Sequence, residues 1–405
     1  MKKFSDTTWV MIGMLGGLAG GLLLGPTMGE IKFIGDIFLR LIQMSISVLL
    51  AGAVIEAVGA LKSQDLGVLG GKTLLVFFIT TIIASISGLV MVNILQPGIG
   101  IPAIAGMEYK GGSEVMSWGA AITEFFPKNI VESMAKGSTV QIIAFSMVCG
   151  VALSLANTTE EGGRALEMVR SVNTIILGMM HLILKVAPIG VFALLGWVTG
   201  VVGIAVVLPL LKFLLALFIA AIVTYLCMLF CVCTYARISP FTFTRKLYRM
   251  GMIAFSTTSS AVALAVEMED CEKRYGVDPR VTRLVLPLGM TLSSAGLALY
   301  LAVACVTMFQ FFNLDASLAT QFRVVVMSTL ATLGTASVPG GALVSLAIVF
   351  PTVGIPLEGI AILAGVDRFS DMIRTPMNVF CDVVAAVAVA SSSHLLDKET
   401  FKNVA

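Results

Sequence analysis

Charge is scarce in this chain. Only 12% of its 405 residues are Asp, Glu, Lys or Arg, while 58% are hydrophobic and the mean hydropathy is +0.99. A water-soluble domain carries charge on roughly a quarter of its residues, so a soluble enzyme or binding module is excluded. Basic excess is also lacking: 26 Lys and Arg against 24 Asp and Glu leave a net charge of +2, without the clustered positive surface that a nucleic-acid partner needs. There are two histidines, His181 and His394, too isolated to act as ligands. The seven cysteines form no metal or redox spacing; Cys227, Cys231 and Cys233 lie inside an apolar run and read as small apolar residues. Alternating ten-residue strands are missing too, which excludes a membrane β-barrel.

What the chain has is long apolar runs. They cover 9–24, 34–61, 74–95, 140–155, 175–202, 205–233, 285–312 and 360–390, eight segments near the roughly 20 residues that a helical span requires. The first follows Met1-Lys2-Lys3 and is read as an uncleaved span, because the next run begins within about ten residues. Lys62, Lys72, Arg237, Arg245, Lys246, Arg249, Lys398 and Lys402 fall on the same side as Lys2 and Lys3, so both termini are expected in the cytoplasm. The polar connection 98–139 is then extracellular. The fold class that follows is an all-α polytopic membrane protein, placed in a plasma membrane or prokaryotic inner membrane.

Two further segments are apolar but interrupted. The arms 324–333 and 342–350 flank Gly334-Thr-Ala-Ser-Val-Pro339-Gly340-Gly341, where glycine and proline remove helix propensity and a backbone donor. The segment 243–272 is divided by Ser256-Thr257-Thr258-Ser259-Ser260. Each reads as a re-entrant hairpin whose tip is buried or lines a wet cavity, since open backbone cannot face lipid; ordinary kinked spans are the alternative. One enters from the cytoplasm and the other from outside, the layout of an inverted repeat with a site at the midplane.

The last run carries Asp367, Asp371, Arg374, Asn378 and Asp382. At about 100° per residue they form one stripe about 80° wide, bordered by Thr375. A charge facing lipid near the bilayer centre costs roughly 3 kcal/mol or more, so the stripe must face protein or ligand. A buried structural ion-pair ladder, such as Asp371 with Arg374, is one reading. The other is a ligand site: three carboxylates share one guanidinium, leaving negative charge for a cation or a ligand amine to balance. A guanidinium forks onto a carboxylate, an aspartate accepts from an α-ammonium, and Asn378 or Thr375 can donate to an α-carboxylate. Carboxylates and free carbonyls suit sodium or a proton, and nothing suits zinc.

Four ordered motifs resemble the glutamate transporter homologues, the dicarboxylate/amino acid:cation symporter family. They are Ala254-Phe-Ser-Thr-Thr-Ser-Ser260, Leu286-Pro-Leu-Gly289, Gly334-Thr-Ala-Ser-Val-Pro-Gly340, and Asp371-Met-Ile-Arg-Thr-Pro-Met-Asn378 with Asp382; Lys185-Val-Ala-Pro-Ile-Gly-Val-Phe192 extends the likeness. The resemblance implies eight spans plus two hairpins, a homotrimer in the bilayer, and an elevator motion of a transport part (71–96 and 205–395) against a scaffold (1–70 and 140–202). It implies that Arg374 holds a substrate side-chain carboxylate and Asp371 the α-amino group. Thr375, Asn378 and Ser260, with the neighbouring Thr258 and Ser259, complete the pocket, and Val338 and Gly340 gate it. Asp382 with Asn378, Gly289 and Ser293 matches one cation site, and Thr80 and Thr81 match a second.

The departures bear on coupling. Where the family has Asn-Met-Asp-Gly-Thr, this chain has Ser293-Ser294-Ala295-Gly296-Leu297, and a nearby tyrosine aligns with Phe77. One sodium site therefore loses its carboxylate at Ala295. Leu301 stands where proton- and potassium-coupled animal relatives have glutamate. Sodium stoichiometry is expected to be lower than in the archaeal sodium-coupled members, down to zero, with Na+ or H+ as the coupling ion and no cofactor. Arg368 is expected to pair with Asp367 or Asp371. The leading reading is a symporter of aspartate or glutamate. A neutral amino acid is disfavoured by Arg374, and an amine-free dicarboxylate by Asp371. A channel is disfavoured by two closable hairpins, and an intramembrane aspartyl protease by the placing of all three acids on one helix.

Overall fold

The computed structural model describes residues 6–60, 68–99, 126–202, 207–335 and 341–402. Among them the helices are, in chain order, α1 (Asp6–Leu24), α2 (Lys32–Gly59), α3 (Val68–Leu95), α4 (Ile130–Lys136), α5 (Thr139–Ala156), α6 (Glu160–Val202), α7 (Val207–Ala236), α8 (Pro240–Thr257) and α9 (Ser260–Lys273). They continue with α10 (Pro279–Leu292), α11 (Ala295–Phe311), α12 (Leu318–Thr335), α13 (Gly341–Val353), α14 (Glu358–Ala364), α15 (Asp367–Ser392) and α16 (Lys398–Lys402). A 3-10 turn, Gly25–Ile31, joins α1 to α2. The stretches long and apolar enough to cross a bilayer include Ile12–Leu41, Leu69–Leu95, Leu208–Ala236, Pro279–Phe311 and Asp367–Ser392. The described residues thus form an all-helical polytopic membrane fold.

Several boundaries differ from those that hydropathy suggests. The run 175–202 belongs to a 43-residue helix, α6, which begins at Glu160 because Glu and Arg on exposed turns are good helix formers that a hydropathy window passes over. The run 285–312 is two helices: Ser293 takes extended backbone (φ −123°, ψ 119°) and Ser294 is also non-helical (φ −136°, ψ 66°), which interrupts it. The last run also divides, at Gly365-Val366, so the charged stripe opens its own helix at Asp367.

The segment 243–272 is two helices, α8 and α9, which break at Thr258 and pack on one another. Its turn follows from the chemistry of its hydroxyls. Ser256 and Thr257 donate back to the carbonyl of Ile253 (3.2 and 2.7 Å), Thr258 adopts the left-handed region (φ 50°), and the Ser259 hydroxyl accepts from the Val262 amide at the start of α9. Short hydroxyl side chains compete with helix bonds and favour caps, so this run ends one helix and begins another. At its open end, Lys246 is buried and donates to the carbonyls of Arg274 and Phe401 (2.7 Å to the latter), clamping the hairpin to α16. Asp270, also buried, is paired with Arg249 at 3.1 Å and Arg274 at 3.5 Å. Beyond it Asp278 caps α10, and its bonds to Arg280 push its carboxyl down to about 2. The 324–350 hairpin has arms α12 and α13, while the tip 336–340, including Val338 and Gly340, lies outside the described residues.

α15 is the central element. It packs against α3, α7, α8, α9, α10 and α11. Separately, α1, α2 and α5 pack around α6. In that second group α1 and α6 approach at the level of their backbones: a Cβ on Gly17 would lie 2.7 Å from the Phe192 carbonyl oxygen and 3.2 Å from the Gly196 amide. Small residues allow this in membrane helices, where packing and not water exclusion drives association. We expect Gly17→Ala to destabilise the protein by about 1–3 kcal/mol through overpacking. The unfolding midpoint in detergent measures it, and an unchanged midpoint would show that α6 yields freely.

Candidate functional site

The first half of α15 carries the charged groups. The Arg374 guanidinium, whose residue is only 5% exposed, donates from Nη1 to Asp367 Oδ1 at 2.9 Å and reaches Asp371 Oδ1 from Nη2 at 3.1 Å. Its flat face lies 4.4 Å from the centre of the Tyr300 ring, on α11. Asp371 also accepts from the Thr375 hydroxyl at 3.0 Å. The 3.6-residue period places all four side chains on one face, and burial makes the pairing obligatory: a lone guanidinium in this medium would cost several kcal/mol. The ladder and the ligand site read from the sequence therefore use the same atoms. The protein's own carboxylates occupy two edges of the guanidinium fork, while Asp371, only half-buried, keeps an open side.

Helix interruptions bring backbone groups to this face. The first amides of a helix lack internal partners. At the start of α11 one of them, Gly296 N–H, donates to Asn378 Oδ1 at 2.8 Å, tying the Ser293-Ser294 break to α15. A Cβ on Gly296 would strike Asn378 Oδ1 and the Arg374 carbonyl, so glycine is required for the approach. The tip of the first hairpin arrives from the other direction. Arg368 does not pair with Asp367 or Asp371 as expected; its Nη1 donates to the Thr258 hydroxyl, holding the tip against the first turn of α15. Side chains at 367 and 368 point about 100° apart, and Arg374 already fills the Asp367 side. Ser259 and Ser260 follow at the N-terminus of α9, half-buried beside this contact.

One and two turns further on, the stripe becomes a different site. Asp382 is 1% exposed, and its Oδ1 has no hydrogen-bond partner among the described residues. The carboxylate lies over Gly289 so closely that any Cβ there would collide with it. Ser293, one turn beyond Gly289, is also buried with its hydroxyl unpartnered. Asp382 is thus in contact with Gly289, and Ser293 is joined to Gly289 by a backbone hydrogen bond of 2.9 Å; carboxylate and hydroxyl oxygens are donors of the hard type that suits sodium. Thr80 and Thr81 are buried on α3, the Thr80 hydroxyl donating to the Phe77 carbonyl at 3.0 Å, and Ala295 offers no carboxylate to a second cation. No group of three or more His, Cys, Asp or Glu suited to a metal occurs among the described residues.

Sequence reasoning missed two participants. Tyr300 sits beneath the guanidinium and was read only as part of an apolar run. Glu267 is buried on α9, with an oxygen unpartnered. It stands at the head of the charged run Glu267-Met-Glu-Asp-Cys-Glu-Lys-Arg274, which looks solvent-facing. Its periodicity carried the signal: Ala263, Glu267 and Cys271 repeat every four residues and share the buried face.

Known proteins resemble this chain throughout its length. The profile of the Sodium:dicarboxylate symporter family matches residues 7–392. A proton/glutamate-aspartate symporter of Bacillus subtilis strain 168 is 32% identical over 385 residues, covering 92% of each chain. A proton/sodium-glutamate symport protein of Geobacillus stearothermophilus is 32% identical over 406 residues, 96% of this chain and 95% of its own. A C4-dicarboxylate transport protein of Bacillus subtilis strain 168 is 29% identical over 413 residues, 98% and 96%. These relatives are transporters and not enzymes, and with its apolar helices and its charged face on α15 this chain belongs to the Sodium:dicarboxylate symporter family of multi-pass membrane transporters.

Proposed function

We propose that this protein is a symporter of an acidic amino acid, aspartate or glutamate. The observation that carries this reading is the buried Arg374 held between Asp367 and Asp371. An incoming side-chain carboxylate takes donors of the guanidinium fork, and the α-ammonium replaces the arginine as partner of Asp371. Charge pairing is thus exchanged and not lost, which keeps the cost of a buried charge low in both states. Asn378, Thr375, Thr258, Ser259 and Ser260 supply the remaining polar contacts, and Val338 and Gly340 serve as the gate. The relatives named as glutamate and aspartate symporters support this. The relative named for C4-dicarboxylates favours a second reading, in which the substrate has no amine and Asp371 no partner.

The symport reading includes a homotrimer with both termini in the cytoplasm. In it the group of helices around α15 moves as an elevator against the group around α6. Asp382 offers one cation site for sodium or a proton, while Ala295, Ser293 and Phe77 leave the second weakened.

Three measurements test this. In Arg374→Cys, aspartate affinity should fall at least tenfold, about 1.4 kcal/mol, while serine affinity changes far less; equal losses would remove Arg374 from the selectivity role. In Asp371→Asn, aspartate binding should collapse and succinate binding survive, whereas aspartate binding at the wild-type level would disprove the ammonium contact. Linkage makes substrate affinity follow the number of coupled cations. By calorimetry across sodium concentrations, with choline holding ionic strength, aspartate affinity should rise with no more than about the second power of sodium. A third-power rise would reveal cation ligands other than those named.

A further inference from the structure

We infer that Glu267 is the second carboxylate of a cation site built on Asp382, so that the first hairpin itself supplies a ligand to the coupling ion. The inference rests on the symport reading and adds a residue to it. Glu267 and Asp382 are each 1% exposed, on α9 and α15, which pack side by side. The two carboxylates act on one another electrostatically, and both act on the Cys271 thiol one turn beyond Glu267. Neither takes part in an ion pair among the described residues. Glu267 Oε1, Asp382 Oδ1 and the Ser293 hydroxyl all lack hydrogen-bond partners.

Buried polar atoms without partners are rare in folded proteins and point to a missing water or ion. Here the unpartnered atoms are oxygens, two of them on acids that repel one another in a poorly screened interior. The neighbouring network cannot supply the missing charge, because Arg374 is paired with Asp367 and Asp371, and Arg368 lies about 21 Å from Asp382 along the same helix. A hard monovalent cation between the two carboxylates, with the serine hydroxyl and nearby carbonyls completing the shell, satisfies all three donors. Its placement between α9 and α15 couples it to substrate. α9 begins at Ser260, in the hairpin tip, and α15 carries Arg374 and Asp371. A cation joining the two helices therefore orders the pocket that both of them line.

The test uses the full-length protein in detergent, free of substrate, melted across a sodium chloride series with choline chloride holding ionic strength. The wild-type midpoint should climb with sodium and saturate. In Glu267→Gln the half-saturating sodium concentration should rise at least tenfold, and in Asp382→Asn the sodium effect should vanish. Glu267→Leu removes the buried charge while keeping apolar volume, and carries the same test should the glutamine variant fail to fold. A merely structural Glu267 would shift the midpoint equally at every sodium concentration and leave the half-saturating value unchanged. That result, or a wild-type protein indifferent to sodium, overturns the inference. Aspartate calorimetry on the same preparations keeps the two readings apart. Sodium stabilisation without aspartate binding counts against the substrate assignment alone, and aspartate binding without a sodium effect counts against the Glu267 site alone.

Discussion

The structure depends on one constraint: charges placed inside a bilayer must find partners within the protein. α15 carries Asp367, Asp371, Arg374 and Asp382 among valines and alanines, and no lipid-facing orientation could accommodate them. The helix is accordingly enclosed by α3, α7, α8, α9, α10 and α11. Continuous helices could wall it off but could not serve its polar groups, because their amides and carbonyls are already bonded to one another. Interrupted helices can. The break at Ser293-Ser294 delivers Gly296 N–H to Asn378, and the break at Thr258 delivers a hydroxyl to Arg368.

The interruptions are built from different chemistry. At the first hairpin, hydroxyl side chains cap both helices in turn, and a left-handed threonine reverses the chain. At Ser293-Ser294 two residues of non-helical backbone suffice, since α10 and α11 continue in one long apolar stretch and no reversal is needed. Glycine appears where a neighbour leaves no room for a side chain. Gly296 admits Asn378, and Gly289 admits the Asp382 carboxylate.

The stripe divides into two electrostatic regions. Around Arg374 one guanidinium is shared by two carboxylates within the protein. Around Asp382 the buried Glu267 adds a second acid, and neither takes part in an ion pair among the described residues. The two regions lie about two turns apart on one helix.

The sequence by itself determined the membrane class, the helix break within 256–260, and the alignment of Asp367, Asp371, Arg374, Asn378 and Asp382 on one face. Each rests on local quantities: hydropathy over a span, cap chemistry over five residues, and helical angle over four turns. It did not determine the split of the 285–312 run, because serine pairs also occur within intact membrane helices and only the demand of Asn378 for a donor distinguishes the two. It did not determine that Arg368 turns to Thr258, or that Tyr300 lies beneath Arg374. Nor did it reveal that Glu267, at the head of a charged run, is buried near Asp382. These pairings join residues dozens to more than a hundred positions apart, so only the packing of α9, α11 and α15 into one body decides them.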